Sequence, residues 1–215
     1  YMAKTGKPLI MSTGMASVLE IEAAIDTARS SGCKELIVLH CVSGYPTPPD
    51  QYNLRTISDI AEKFNVLSGL SDHTIDNTTA ITSVAMGAVL IEKHVTLDRS
   101  GGGVDDSFSI EPRELNDLCR DAKVAWSSLG IVNYELAEAE RPNIKFRRSL
   151  YFVKNLSEGD LITEDAVRSV RPGYGLAPKF LDQVLGATVS RDVNYGQPVT
   201  KQSYLRHGAV IGDLK

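Results

Sequence analysis

The chain has 215 residues, of which 42% are hydrophobic and 23% charged, an ordinary balance for a globular protein with a buried core. No apolar run approaches the ~18 residues that a membrane-spanning helix needs, so no membrane association is expected. Residues 1–140 hold 11 basic and 20 acidic side chains, a balance of −9, whereas residues 141–215 hold 12 and 7, a balance of +5. The excess of acidic side chains in residues 1–140 argues against nucleic acid as a partner. The change in the sign of the charge balance near residue 140 predicts a domain boundary.

The cysteines and the N-terminal residues bear on the cellular setting. Cys33, Cys41 and Cys119 are widely spaced and match neither a disulfide framework nor a zinc motif. The first residues lack the basic, apolar and small-residue pattern of a signal peptide. We therefore expect a reducing, cytoplasmic setting.

Four apolar runs alternate with helical patterns in the first part of the chain. The runs cover residues 8–11, 35–42, 65–70 and 88–95, and their Ile, Val and Leu content is typical of buried parallel strands. Ser17 and Glu20 form a capping-box pattern that predicts a helix start. Gly32 predicts its end, after an apolar stripe made by Ile21, Ala24, Ile25 and Ala28.

The last helix of this part is predicted to open at Pro112 and to end before Gly130. Its predicted buried face consists of Leu115, Leu118, Ala122, Trp126 and Leu129. Strands and helices alternating at this spacing indicate βα units on a parallel sheet.

Four βα units fill about 130 residues, whereas a closed (β/α)₈ barrel needs roughly 250. We therefore predict that residues 1–130 are the C-terminal half of a TIM barrel and carry the catalytic groups, the first half lying outside this sequence. A small open α/β sheet, complete by itself, is the alternative.

A second, β-rich module is predicted after a linker. Residues 131–145 are polar, contain Pro142 and have the composition of a linker. Residues 146–215 contain short apolar runs and turns, with a short helix expected to open near Thr163 and Asp165. The fold class is therefore α/β, a half barrel followed by a small β-rich domain.

Polar side chains follow the predicted strands, where a parallel barrel collects its reactive groups. Two of the histidines, His73 and His94, follow adjacent strands, and each stands near a carboxylate, Asp72 or Glu92. A single histidine at such a place is more often a hydrogen-bonded core residue, but two on neighbouring strands favour a shared metal site.

Two imidazoles and an aspartate oxygen suit a divalent cation such as Mn²⁺, with Zn²⁺ remaining open. Asp105 and Asp106, in the loop after His94, are the candidate carboxylates, although a solvated loop would explain them equally well. Glu92 is a candidate partner for a ligand. The run of glycines at 101–103 permits backbone to approach an anion, but such runs are usually only flexible.

Hydroxyl groups near the strand ends are candidates for holding a phosphate or a carboxylate. These are the side chains of Ser12, Ser43 and Ser71, although serines are common at strand ends. Tyr45 begins a stiff, proline-rich loop that is expected over the barrel mouth, unless it is a plain connector.

Six segments together resemble the sialic acid synthase family over essentially the whole chain and in the family's order. They are KPLIMSTGM, LHCVSGYPTP, GLSDHT, IEKHVTLDRSGGGVDDSFSIEP, RRSLYFVK and RPGYGL. The last three resemble the pseudaminic acid synthase branch more than the N-acetylneuraminate synthases. The family fold is a (β/α)₈ barrel followed by an antifreeze-like (SAF) domain.

The resemblance implies a metal-dependent transferase that condenses phosphoenolpyruvate with 2,4-diacetamido-2,4,6-trideoxy-L-altrose to give pseudaminic acid and phosphate, with C–O cleavage. It implies Mn²⁺ or Mg²⁺ bound by His73 and His94, with Asp105 completing the catalytic set. The implied substrate-binding residues are Ser12, Ser43, Tyr45, Ser71, Glu92 and Arg171, where Ser43 replaces an asparagine of the neuraminate branch.

Arg171 matches the arginine that one subunit's antifreeze-like domain inserts into the barrel mouth of the other. The resemblance therefore implies a domain-swapped homodimer. An acidic body and a basic tail are compatible with that exchange.

One departure from the family concerns its first four strands. These supply two substrate-binding lysines and a glutamate proposed as acid/base, and none has a counterpart here. We therefore expect the isolated chain to be weakly active or inactive, with an open sheet edge and an exposed apolar flank. The alternatives are a synthase for N-acetylneuraminate or legionaminate, and a non-catalytic module that binds a sugar or a partner.

Overall fold

The computed structural model describes residues 1–205, which fall into two compact units divided between Val132 and Asn133. Within this described part, no helix is long and apolar enough to cross a membrane. The first unit holds an α/β sheet, and the second is built mainly from short strands and turns.

The first unit is a four-stranded parallel sheet whose spatial order is the chain order. Its strands are β1 (Leu9–Ser12), β2 (Leu36–Cys41), β3 (Leu67–Asp72) and β4 (Ile91–Lys93). The helices are α1 (Val18–Ser30), α2 (Thr56–Phe64), α3 (Thr78–Ala85) and α4 (Pro112–Leu129). Short 3₁₀ helices cover Met2–Thr5, Pro49–Gln51 and Asp106–Phe108. The predicted α/β class, with a parallel half-barrel sheet, is confirmed.

Side chains alternate between the two faces of each strand, and one face packs on the helices. Val38 of β2 and Leu70 of β3 are fully buried on that face, where Leu70 packs with Ile57 of α2 and Ala80 of α3. Gly69 is required at the opposite face of β3, because a Cβ there would lie 2.4 Å from the carbonyl oxygen of Leu90.

The predicted start of α1 is confirmed in detail. The Ser17 amide donates to Glu20 Oε2 at 2.7 Å, and the Glu20 amide donates back to Ser17 Oγ at 3.4 Å. Ile25 and Ala28 are the buried members of the predicted stripe.

The predicted buried face of α4 is wrong at its C-terminal end. Leu118 is buried, but Trp126 is 70% and Leu129 is 51% exposed, and both border an apolar groove that is also lined by residues 87–91, which lead into β4. Helical periodicity identifies an apolar face without showing what covers it. Within residues 1–205 the edge strands β1 and β4 pair on one side only, so the expected open sheet edges are present. The exposed side chains of Trp126 and Leu129 form the expected apolar flank.

The second unit contains two antiparallel strand pairs. They join β5 (Ser149–Phe152) to β6 (Val167–Val170), and β7 (Thr188–Val189) to β8 (Tyr204–Leu205). The unit also holds α5 (Leu181–Val184) and 3₁₀ helices at Glu138–Phe146, Pro178–Phe180 and Lys201–Ser203. Leu150, Phe152 and Val184 lie fully buried in its core.

One sequence prediction fails in detail here. The helix expected near Thr163 and Asp165 is a turn, closed by the Ala166 amide donating to the Thr163 carbonyl at 3.0 Å, and it leads directly into β6. Because Thr163 Oγ1 bonds the Asp165 carboxylate, the apparent capping pattern stabilises the turn itself. Part of the predicted linker at 131–145 forms the exposed 3₁₀ helix Glu138–Phe146, which contains Pro142.

Candidate functional site

The candidate site lies at the carboxyl ends of β3 and β4. Ser71 and Glu92 are register partners, and His73 and His94 follow the same two strands. The centroids of the two imidazole rings are 5.2 Å apart, with their planes inclined by 63°. The adjacent parallel strands therefore bring the two predicted histidines together.

His73 is buried and held at three of its polar atoms by residues 42–52, the loop after β2. Its Nδ1 lies 2.8 Å from the Val42 carbonyl, and its amide donates to the Tyr52 hydroxyl at 2.6 Å. Its carbonyl accepts from the Thr47 amide at 3.0 Å. Because a carbonyl only accepts, Nδ1 carries a proton, and the neutral form of this imidazole therefore has its lone pair on Nε2.

His94 is more open, with one third of its side chain exposed. Its Nδ1 lies 3.5 Å from Asp105 Oδ2. The Phe108 ring packs against it at a centroid distance of 5.3 Å. As in His73, Nδ1 is the ring nitrogen that faces an oxygen.

Tyr45 forms an aromatic wall against both histidines. Its ring centroid lies 4.3 Å from that of His73, 5.8 Å from that of His94 and 5.4 Å from that of Phe108. The Tyr45 side chain is 53% exposed, so it borders the site on the solvent side.

The carboxylates beside the two histidines face different ways. Glu92 accepts a hydrogen bond from Ser71 Oγ at 2.8 Å, on the same sheet face. Asp72 lies on the opposite face, where it forms a buried ion pair with Lys93 at 2.8 Å. The proximity of Asp72 to His73 in sequence therefore does not bring its carboxylate to the site, because strand side chains alternate.

The two aspartates of the loop after β4 also differ. Asp105 lies beside His94, whereas Asp106 accepts from Thr96 Oγ1 at 2.6 Å and from the Gly103 amide at 2.7 Å. A Cβ on Gly101 or Gly103 would lie 2.9 Å from Asp106 Oδ2. The glycine run thus accommodates the protein's own carboxylate.

The remaining predicted residues are spread over both units. Ser12 ends β1 and is exposed, and Ser43 is half-buried with its Oγ 3.4 Å from where a Gly14 Cβ would stand. Arg171 lies in the second unit on an exposed turn, next to Pro172, whose carbonyl accepts from Ser149 Oγ at 2.8 Å.

Sequence reasoning missed two residues that hold the backbone around the site in place, Tyr52 and Arg99. Tyr52 is fully buried, and burial raises the pKa of its hydroxyl, which therefore stays protonated. Arg99 bonds Glu114 at the start of α4, which lowers the pKa of that carboxyl and anchors the loop after β4. No spacing pattern connects Tyr52 to His73. The one signal in the sequence is general: a buried tyrosine hydroxyl needs hydrogen-bond partners.

The donor atoms around the two histidines fit a cation only in part. Among residues 1–205, no group of three or more His, Cys, Asp or Glu side chains is arranged to hold a metal ion. The chain does supply two neighbouring imidazoles, each with Nδ1 facing an oxygen, which is the usual arrangement around a metal-binding histidine. The pair therefore fits part of a divalent-metal site.

Comparison with known proteins gives consistent matches. The NeuB family model matches residues 1–134, and the SAF domain model matches residues 147–204. A pseudaminic acid synthase of Campylobacter jejuni subsp. jejuni serotype O:23/36 is 37% identical over 203 residues, covering 94% of this chain and 59% of that protein. An N,N'-diacetyllegionaminic acid synthase of Campylobacter jejuni subsp. jejuni serotype O:2 is 33% identical over 194 residues, covering 89% of this chain and 58% of that protein.

A solved structure shares the fold over most of the chain. The crystal structure of the spore coat polysaccharide biosynthesis protein SpsE from Bacillus subtilis matches with a TM-score of 0.58 and 29% identity. The match covers 95% of this chain and 63% of that one. The chain spans only 57 to 59% of the length of the first curated relatives it matches.

Proposed function

The chain belongs to the NeuB family, and from that membership we propose that it forms part of a pseudaminic acid synthase. The proposed reaction joins C3 of phosphoenolpyruvate to the aldehyde carbon of 2,4-diacetamido-2,4,6-trideoxy-L-altrose. Water adds at C2 of the phosphoenolpyruvate unit and the C–O bond to phosphate breaks, so the products are a nine-carbon 2-keto acid and inorganic phosphate.

The observation that carries this proposal is the pair of imidazoles, His73 and His94, with ring centroids 5.2 Å apart at the ends of adjacent parallel strands. Their Nε2 atoms would hold a divalent cation of the Mn²⁺ or Mg²⁺ type. When bound, such a cation polarises a carbonyl oxygen and so makes an aldehyde carbon more electrophilic.

The chain's other residues have binding and orienting roles in this proposal. Asp105, 3.5 Å from His94 Nδ1, fixes that ring and offers an acceptor on the sugar side. Tyr45 supplies an apolar wall that excludes water from the side facing solvent. The hydroxyls of Ser12 and Ser43 would donate to phosphoenolpyruvate. The Ser71 hydroxyl, which donates to Glu92 Oε1 in this structure, would exchange that acceptor for phosphoenolpyruvate when the substrate binds.

A domain-swapped homodimer completes the proposal. Arg171 of one subunit would reach the barrel mouth of the other, where its planar guanidinium can donate to an amide carbonyl of the sugar. The opposite charge balances of residues 1–140 and 141–215 favour such an exchange. Since the chain spans less than two thirds of its relatives, we propose that the isolated chain has little or no activity.

The test is an assay of the natural full-length protein with phosphoenolpyruvate and three separate sugars. The sugars are the altrose derivative, the legionaminic acid precursor and N-acetylmannosamine, with phosphate release and product mass as readouts. We expect turnover with the altrose derivative and little with the others. Turnover with N-acetylmannosamine alone would reject the pseudaminic assignment, and no turnover with any sugar would favour a binding module.

A further inference from the structure

The loop that follows β2, residues 42–52, contacts every polar atom of His73 except Nε2. The Val42 carbonyl faces Nδ1, the Thr47 amide donates to the carbonyl, and the Tyr52 hydroxyl accepts from the amide. Of these three contacts, only that of Tyr52 is made by a side chain. It is therefore the one contact that a substitution can remove without changing the backbone.

The Tyr52 hydroxyl is used twice at the end of β3. Besides accepting from the His73 amide at 2.6 Å, it donates to the Ser71 carbonyl at 3.0 Å. One hydroxyl thus bridges the backbone on both sides of Asp72, where the strand ends and the site begins. The Tyr52 ring is fully buried and packs with Ile57 and Leu70, and this packing holds the hydroxyl in position at the end of β3.

We propose that Tyr52 is a positioning residue, whose hydroxyl sets the orientation of His73 and thereby the geometry of the His73–His94 pair. Loss of the hydroxyl would leave two buried backbone groups without their partner, and the strand end would have to move to satisfy them. The ring of His73 would move with it. This inference rests on the proposed function in one respect, namely that His73 and His94 together bind a divalent cation.

The experiment compares Tyr52→Phe with the unsubstituted full-length protein by NMR of ¹⁵N-labelled histidine rings. His73 is assigned from the spectrum of a His73→Gln variant. We expect Tyr52→Phe to shift or broaden the His73 ring signals. His40 is an internal control, because its Nε2 contacts the Tyr52 backbone carbonyl at 2.5 Å and that carbonyl is retained.

A second readout is the affinity for Mn²⁺, measured by titration and electron paramagnetic resonance. Substitutions that loosen the partners of a metal-binding histidine typically weaken metal binding about 10- to 100-fold, and we expect a loss in that range. Tyr151→Phe is the matched control, since Tyr151 is a buried tyrosine of the second unit. It should leave both the His73 signals and the Mn²⁺ affinity unchanged.

Unchanged His73 signals in folded Tyr52→Phe protein would overturn the inference. Equal shifts of His40 and His73 would also overturn it, because they would indicate a general structural role. If Tyr52→Phe does not fold, 3-fluorotyrosine can replace Tyr52, because it keeps the hydroxyl but makes it a weaker hydrogen-bond acceptor. A shift of the His73 ring signals in that protein would support the inference, and unchanged signals would overturn it. An unsubstituted protein that lacks synthase activity refutes the proposed function, whereas the NMR comparison still tests Tyr52.

Discussion

Replacing Lys93 by methionine should destabilise the first unit strongly. The Lys93 and Asp72 side chains are 3% and 0% exposed, and their charged atoms are 2.8 Å apart. The ammonium also donates to the carbonyls of Thr74 and Asp76, each at 2.7 Å. Through these three hydrogen bonds Lys93 ties the end of β3 and the loop after it to β4.

The magnitude follows from what the substitution leaves behind. Methionine has nearly the same length as lysine, so packing changes little, but the Asp72 carboxylate loses its buried counter-charge. Removing one partner of a buried ion pair typically costs about 3–5 kcal/mol. At roughly 2–4 °C per kcal/mol for a chain of this size, the melting temperature should fall by about 6–20 °C.

The assay is urea unfolding followed by circular dichroism at 222 nm, since the longest helices belong to the first unit. Lys63→Met is the matched control, because Lys63 lies exposed in the last turn of α2. It should change stability by less than about 0.5 kcal/mol. Adding Asp72→Leu to Lys93→Met should recover part of the loss. A loss below about 1 kcal/mol for Lys93→Met would refute this reasoning.

Three further predictions concern the helix starts and the loop after β4. Ser17→Ala removes the cap of α1 and should cost about 1 kcal/mol in urea unfolding, and no change would contradict the capping role. The hydrogen bond from Arg99 lowers the pKa of Glu114, so this carboxylate stabilises the fold above its unfolded pKa near 4.5 and loses that effect as pH falls through its lower folded value. Glu114→Gln should therefore be less stable than the unsubstituted protein at pH 6 and equal to it at the acid end, and a pH-independent difference would contradict this. Gly103→Ala should cost about 0.5–1.5 kcal/mol, because its Cβ would lie 2.9 Å from Asp106 Oδ2 and would displace that carboxylate from its hydrogen bonds to Thr96 and the residue 103 amide, and unchanged unfolding would show that the loop adapts freely.

Much of the first unit is predictable because its signals are local. The apolar runs that form β1 to β4 and the Ser17–Glu20 cap of α1 depend on a few consecutive residues. The juxtaposition of His73 and His94 follows from parallel strand ends meeting at one edge of the sheet. These features need no knowledge of distant contacts.

The remaining features depend on contacts that no local pattern records. Trp126 lies on the apolar face of α4 and is nonetheless exposed, because coverage depends on what stands opposite the helix. Tyr52 reaches His73 across 21 positions of sequence through a loop whose path the spacing does not reveal. The opposite directions of Asp72 and Glu92 depend on the register that pairs Ser71 with Glu92, in addition to the alternation of side chains along each strand.

The most direct test of the central claim is anomalous diffraction at the manganese edge from crystals of the natural full-length protein soaked in Mn²⁺. The geometry of the two imidazoles predicts one strong peak at bonding distance from Nε2 of both His73 and His94. A peak bound to only one of these rings, or a peak elsewhere with none between them, would contradict the claim that the pair grips a single cation.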